Sequence, residues 1–248
     1  MVLIVDVCSM KHMLILITIL LSVGCREAKA PEERQESRPE IPETGSIDSV
    51  ALPEEIVELR SFEGLADTAF VRLADFSSDF SYDLRYATEN NFLKARVYDC
   101  AECYTRVKTA KALIAANRDF MEQGNRIKFF DCYRPHDVQF KMWEIVPNPQ
   151  YVADPQKGSI HNKGGAVDIT LETLDGRELD MGTDFDFFGR EAYHDNTSLP
   201  ATVLRNRKLL KETMEAHGFW SIRTEWWHYN LGAASNDPVA NFKWDCTH

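Results

Sequence analysis

The sequence predicts an α+β domain, and three observations carry the prediction. Runs with helical periodicity and runs with strand character both occur, they do not alternate as regular βαβ units, and two short strand-like runs close the chain near its C-terminus. With 248 residues, 44% of them hydrophobic, the chain can bury one good-sized core, so one domain plus appendages is expected. No internal repeat is visible.

The elements follow in order. From Phe70 the chain reads as folded, and residues 76–86 look like a strand and turn ending in Asp83-Leu84-Arg85-Tyr86-Ala87-Thr88. Thr105 to Gln123 reads as a helix, because Val107, Ala110, Leu113, Ile114, Ala116 and Phe120 share a face and Gly124 follows as a stop. Arg126 to Tyr133 is strand-like, with Ile127, Phe129 and Phe130. Arg134-Pro135 breaks it, and residues 136–145 start a second helix. Ala166 to Leu171 is a strand. Ala201 to His217 is a third helix, with Val203, Leu204, Leu210 and Met214 apolar and Gly218 ending it. Phe219 to Ile222 and Glu225 to Leu231 read as a closing hairpin.

The appendages lie at the N-terminus. Met13 to Val23 is almost wholly apolar and follows Lys11 and His12, the layout of a signal peptide; it is too short to cross roughly 30 Å of hydrocarbon comfortably as a helix. The run ends in Leu21-Ser22-Val23-Gly24-Cys25, which resembles a bacterial lipobox. The resemblance implies cleavage after residue 24, acylation of Cys25 and a membrane anchor. Arg26 stands where enterobacterial retention rules look for Asp, so the expected location is the cell envelope, at the outer membrane facing the periplasm. Residues 25–65 carry Pro31, Pro39 and Pro42 among many Glu and Arg, and read as a flexible acidic tether; residues 66–248 are left as the domain.

A formal net charge of −11 gives no electrostatic footprint for nucleic acid, and that class is set aside. It does not exclude a small zwitterionic substrate. Apart from Cys25, the exported part carries Cys100, Cys103, Cys132 and Cys246. Cys100-Ala-Glu-Cys103 invites a zinc-ribbon reading, but Cys132 and Cys246 are not the second close pair that a ribbon needs. Disulfides are expected, with Cys246 tying down the C-terminal tail; three pairings are possible.

The stretch Ser159-Ile160-His161-Asn162-Lys163-Gly164-Gly165-Ala166-Val167-Asp168 carries an imidazole and a carboxylate on either side of two glycines that let the chain turn. Asp168 falls inside an apolar strand, where a carboxylate is costly to bury without a partner. His161, Asp168 and His228 supply two nitrogens and one oxygen, the donor number of a catalytic zinc site with one open position. The helical HExxH motif is absent. Glu225 and His228 are three apart, so in a regular strand they would face opposite sides, and both can reach one metal only across a bend. His194-Asp195 is a weaker metal candidate, better read as a surface loop.

His161-x6-Asp168 with Glu225-x-x-His228 resembles the peptidase M15 zinc enzymes, most closely the D-alanyl-D-alanine dipeptidases of the VanX-like branch. Residues 83–88 followed by Asn91-Phe92, Asp131-Cys132-Tyr133-Arg134-Pro135, Met181-Gly182 with Phe185-Asp186-Phe187, and Glu225-Trp226-Trp227-His228-Tyr229 agree in the family's order. The resemblance implies a compact fold shared with D,D-peptidases and hedgehog signalling domains, with a central antiparallel sheet and flanking helices. It implies one Zn2+ per chain on His161, Asp168 and His228, Glu225 as general base and acid, and Arg134 as transition-state stabiliser. Ser159, Asp186 and Tyr86 are implied near the substrate's free amino group. The expected activity is hydrolysis of D-alanyl-D-alanine to two D-alanines. The alternatives are a D,D-carboxypeptidase or endopeptidase acting on peptidoglycan stem peptides, and a non-catalytic zinc-containing binding module.

Overall fold

The computed structural model describes residues 58–246. The signal-peptide segment, Cys25 and most of the acidic tether lie outside the described residues. The tether gives way to folded chain before residue 66. The Arg60 N–H donates to the Asp75 carbonyl (2.7 Å), and Phe62 stacks on Phe76 with ring centroids 4.3 Å apart. Phe62 and Leu65 carry the apolar surface that the preceding polar stretch lacks, and both pack on the core.

The strands are β1 (Phe70–Arg72), β2 (Ser81–Tyr82), β3 (Tyr104–Arg106), β4 (Asn125–Asp131), β5 (Ala166–Thr173), β6 (Phe219–Ser221) and β7 (His228–Leu231); the helices are α1 (Val107–Met121), α2 (His136–Ile145) and α3 (Ala201–Ala216). The main sheet has the order β2-β4-β5-β7-β6. It is antiparallel throughout its β4-β5-β7-β6 portion, as expected, while the two-residue edge strand β2 runs parallel to β4. That parallel edge makes the sheet mixed, and most of residues 76–86 is irregular chain rather than strand. β1 and β3 form a separate antiparallel pair.

β5 is central and buried along all but its last residue, which explains its unbroken Ala-Val-Asp-Ile-Thr-Leu run. α1 packs on β4 and α3 on β6, and the two helices touch. The apolar stripe read from the sequence is the buried one: Val107, Ala110, Leu113, Ala116 and Phe120 have no exposed surface. α1 continues directly from β3 without a side-chain cap. Its first amides donate instead to the carbonyls of Ala69 (2.9 Å, from Val107) and Asp67 (3.1 Å, from Lys108). Gly124 and Gly218, at φ +75° and +84°, turn the chain after α1 and α3 as expected.

The disulfides are Cys100–Cys246 and Cys103–Cys132. The first ties the C-terminal tail, whose Phe242 and Trp244 stack among Phe70, Tyr104 and Tyr133. No described helix is long and apolar enough to cross a membrane.

Phe120→Ala removes a fully buried ring from the α1 face. Urea unfolding should show a loss of about 3–5 kcal/mol; a loss below about 1 kcal/mol would mean that α1 does not carry the core.

Candidate metal centre and substrate cleft

The site is assembled at one end of the sheet by strand register. Asp168 on β5 lies directly opposite His228 on β7, and Asp131 on β4 lies opposite Asp168 on the other side. Residues opposite each other in a sheet project to one face, so three polar side chains from distant parts of the chain form a row. His161 joins them from a 3-10 turn, His161–Lys163, that ends in Gly164 at φ +72°. A Cβ on Gly165 would lie 2.3 Å from the Ala234 Cβ, so this close approach requires glycine.

His161 Nε2, His228 Nδ1 and Asp168 Oδ1 converge, at separations of 3.2 Å between the two nitrogens and 3.4 and 2.9 Å from each to the oxygen. The far side of each ring explains the tautomers. His161 Nδ1 lies 2.8 Å from the Cys132 carbonyl oxygen, and His228 Nε2 lies 3.0 Å from Asn230 Oδ1. Both partners accept, so each far nitrogen carries its proton and each near nitrogen presents a bare lone pair. Two lone pairs and a carboxylate oxygen so close together repel unless a cation lies among them. A donor set of two imidazoles and one carboxylate with room for a fourth ligand suits catalytic zinc. Among the described residues this is the one cluster of its kind.

Glu225 stands three residues before His228 in a bend, not in the strand. β7 begins only at His228, and the intervening Trp226-Trp227 turn supplies the change of direction that alternation would forbid. Both tryptophans are buried. Trp226 Nε1 donates to Thr183 Oγ1 (2.8 Å), and the Trp227 ring packs edge-on to Phe185. Burial raises the Glu225 carboxyl above its ordinary value.

Arg134 is buried beneath the cleft. Its guanidinium donates to Asp131 Oδ2 (2.6 Å) and Gln139 Oε1 (3.0 Å), lies over the Tyr86 ring, and keeps its Nε–H without a partner. The Tyr86 hydroxyl donates to both carboxylate oxygens of Asp186 (3.0 and 3.2 Å). Asp186 adopts φ +59°, a strained backbone for a residue with a side chain. Burial, then repulsion from Asp168, raises its pKa well above the ordinary value.

Eight side chains expected in the site, His161, Asp168, His228, Glu225, Arg134, Ser159, Asp186 and Tyr86, line one cavity of about 330 Å³. Ser159 differs from the others in what it does there: its N–H and Oγ–H both donate to Asn162 Oδ1 (2.7 and 3.0 Å), which braces the turn that carries His161. His194 takes no part in the cluster, and its backbone N–H donates to the Arg223 carbonyl. Several supports were not singled out from sequence. Asn230 is one; strand alternation places it on the face of His228, two residues on, and could have revealed it. Asp131 and Gln139 support Arg134 from nearby in the chain, while the Cys132 carbonyl reaches His161, and Asn162 the Arg134 carbonyl, only across long separations.

A family model described as "D-ala-D-ala dipeptidase" (Peptidase_M15) matches residues 66–245. The D-alanyl-D-alanine dipeptidase of Escherichia coli (strain K12) is 34% identical over 179 residues, covering 72% of this chain and 93% of that protein. The D-alanyl-D-alanine dipeptidase of Enterococcus faecium is 28% identical over 200 residues, covering 72% and 98%. Among solved structures, a vancomycin-resistance D,D-pentapeptidase, VanY, in complex with Zn(II) matches with a TM-score of 0.36 at 15% identity, covering 52% of this chain and 73% of that one.

Asn230→Ala leaves His228 Nε2 without its acceptor. Zinc affinity, measured by competition with a chromophoric chelator, should fall about 10–100-fold; an unchanged affinity would show that the Asn230 contact does not orient the ligand.

Proposed function

The chain belongs to the peptidase M15 family, and we propose that it hydrolyses free D-alanyl-D-alanine to two D-alanines, with His161, Asp168 and His228 holding the zinc. The observation that carries this reading is the Tyr86–Asp186 pair, which shares one cavity with the three converging ligand atoms and Glu225.

Zinc, the cofactor of this family, supplies an acidified water and a polarised scissile carbonyl when bound. Glu225 accepts a proton from the attacking water and delivers it to the leaving amine. Burial raises its carboxyl above the ordinary value, so it holds a proton more readily than an exposed glutamate does. Arg134 donates to the oxyanion as it forms, a role worth roughly 3–4 kcal/mol. The Asp131 and Gln139 contacts hold its fork in place while the charge develops. Asp186 receives the substrate ammonium, which supplies the counter-charge that the buried carboxyl lacks, and the Tyr86 hydroxyl steadies it. An acylated or longer substrate brings no ammonium to that point, so the pair measures peptide length.

A second reading, a carboxypeptidase or endopeptidase on stem peptides, draws on one observation. A further cavity of about 350 Å³ lies beyond Glu225 and shares Gln150, Tyr151 and Phe188 with the cleft. A non-catalytic zinc module has less support, since it needs neither Glu225 nor Arg134. The location proposed is the cell envelope, at the outer membrane facing the periplasm, through a lipid on Cys25 and the acidic tether. An enzyme placed there acts on dipeptide outside the cytoplasm, which suits wall turnover or nutrition.

The zinc-loaded protein is to be offered D-Ala-D-Ala, N-acetyl-D-Ala-D-Ala and a stem pentapeptide. Release of alanine from the free dipeptide alone is expected, with Glu225→Gln losing about 10²–10⁴-fold while keeping its zinc. Asp186→Asn should lower kcat/KM at least about 30-fold. Comparable cleavage of the blocked or longer peptides moves the activity to the stem-peptide class, and no cleavage by zinc-loaded protein leaves the binding module. Separately, Cys25→Ala should shift the protein from membrane to soluble fractions, and membrane retention of that variant would remove the lipid anchor.

A further inference from the structure

Where β4 ends at Asp131, the chain leaves the sheet. The next three residues belong to no strand, yet the site depends on them. The Cys132 carbonyl accepts from His161 Nδ1 (2.8 Å), the Arg134 N–H donates back to the His161 carbonyl (3.1 Å), and the Arg134 side chain lines the cleft. Arg134 can reach the cleft only because this segment departs from the ladder, and a segment outside the ladder lacks the repeated backbone bonds that hold a strand in register.

One backbone hydrogen bond and one covalent bond tie the segment to β3 and the residue before it. The Tyr133 N–H donates to the Tyr104 carbonyl (2.9 Å), and beside it runs the Cys103–Cys132 disulfide, both of whose residues are buried. The far end of this cross-link is firmly held. The Cys103 carbonyl accepts from the Leu73 N–H (2.9 Å), and β3 pairs with β1 and runs without a break into α1, the helix with the buried stripe. The other disulfide differs in kind. Cys100–Cys246 closes the end of the tail, and Cys246 is exposed and near the chain terminus.

We propose that the Cys103–Cys132 disulfide is a positioning element of the metal centre: it holds the Cys132 carbonyl against His161 Nδ1, so that Nε2 stays aimed at Asp168 and His228. The inference rests on the reading of that centre as the zinc site. The disulfide makes no contact with substrate. It acts through one hydrogen bond, which fixes both the tautomer and the rotation of a ligand ring. It also couples the competence of the site to a compartment in which disulfides form.

The test uses the full chain in detergent. Cys103→Ala/Cys132→Ala and the volume-restoring Cys103→Val/Cys132→Ala are compared with Cys100→Ala/Cys246→Ala. Three quantities are measured: zinc affinity by chelator competition, the visible spectrum of the cobalt(II)-substituted protein, and urea unfolding of the zinc-free protein. Both site variants should bind zinc about 10–100-fold more weakly and show an altered cobalt spectrum, while the tail variant loses stability but keeps its zinc affinity within about threefold. Zinc affinity within about threefold of wild type in the site variants, or an equal loss in the tail variant, would overturn the proposal. So would failure of both site variants to fold without zinc, since the cross-link would then be a general staple. A wild-type protein that binds no zinc would instead overturn the reading of the centre, and that result precedes any variant.

Discussion

The register of β5 against β7 is the constraint on which the rest of the structure depends. Asp168 must lie opposite His228 for two of the three proposed ligand atoms to meet. A slip of one residue would turn Asp168 into the opposite face and bring Val167 or Ile169 into its place. Register is strongly specified because both faces of β5 are buried, so a slip would also misplace Ile169 and Leu171, neither of which has exposed surface. The packing that stabilises the domain therefore also sets the geometry of the centre, and the site needs no separate device to hold those two ligands in line.

The third proposed ligand has no such protection. His161 comes from a short turn, and its placement depends on polar contacts: the Cys132 carbonyl on its ring, the Arg134 N–H on its own carbonyl, and Asn162 between Ser159 and the Arg134 carbonyl (2.9 Å). Asp131 links this group to the sheet. One of its carboxylate oxygens accepts from the Tyr98 hydroxyl (2.7 Å) and the Cys132 N–H (2.9 Å), and the other accepts from Arg134. A buried carboxylate with that many donors is compensated, whereas the same group with one donor removed would be costly. The polar half of the site is thus a connected network.

Much of this was legible in the sequence, and the boundary of legibility has a physical cause. Elements with a strong period were read almost to their ends. Thr105–Gln123 became Val107–Met121, and Ala201–His217 became Ala201–Ala216, because the face of a helix repeats along the chain. Residues 76–86 look like a strand and turn in sequence, but only Ser81–Tyr82 pairs with β4, and that pairing is parallel. Polar composition predicts a tether over residues 25–65, and near its end Phe62 stacks on Phe76, a contact that composition does not reveal. His161 and Asp168 stand out in sequence by their local context, and His228 by the family resemblance, and the fold brings the three proposed ligands together. Their supports were not legible, because a carbonyl at Cys132 or an amide at Asn162 matters only through what the fold brings beside it.

The same contacts imply that metal binding and folding are linked. A fixed acceptor on the far side of each ring holds the proton there and leaves the near nitrogen bare, and the buried Asp168 carboxylate lies beside the two. In the unfolded chain these three groups are separate and solvated, so a cation that binds the folded centre and not the open chain adds RT ln(1 + [L]/Kd) to stability. The free energy that brings three mutually repelling donors together comes from the β5–β7 pairing and the buried core, and zinc returns part of it when it binds. The Arg134 fork is held by Asp131 and Gln139, and the backbone that carries Glu225 runs straight into the buried Trp226-Trp227 pair. The two groups proposed for proton transfer and oxyanion binding thus rest on hydrogen bonds and core packing, and the proposed ligands rest on strand register and the polar network, so the same folded core serves both.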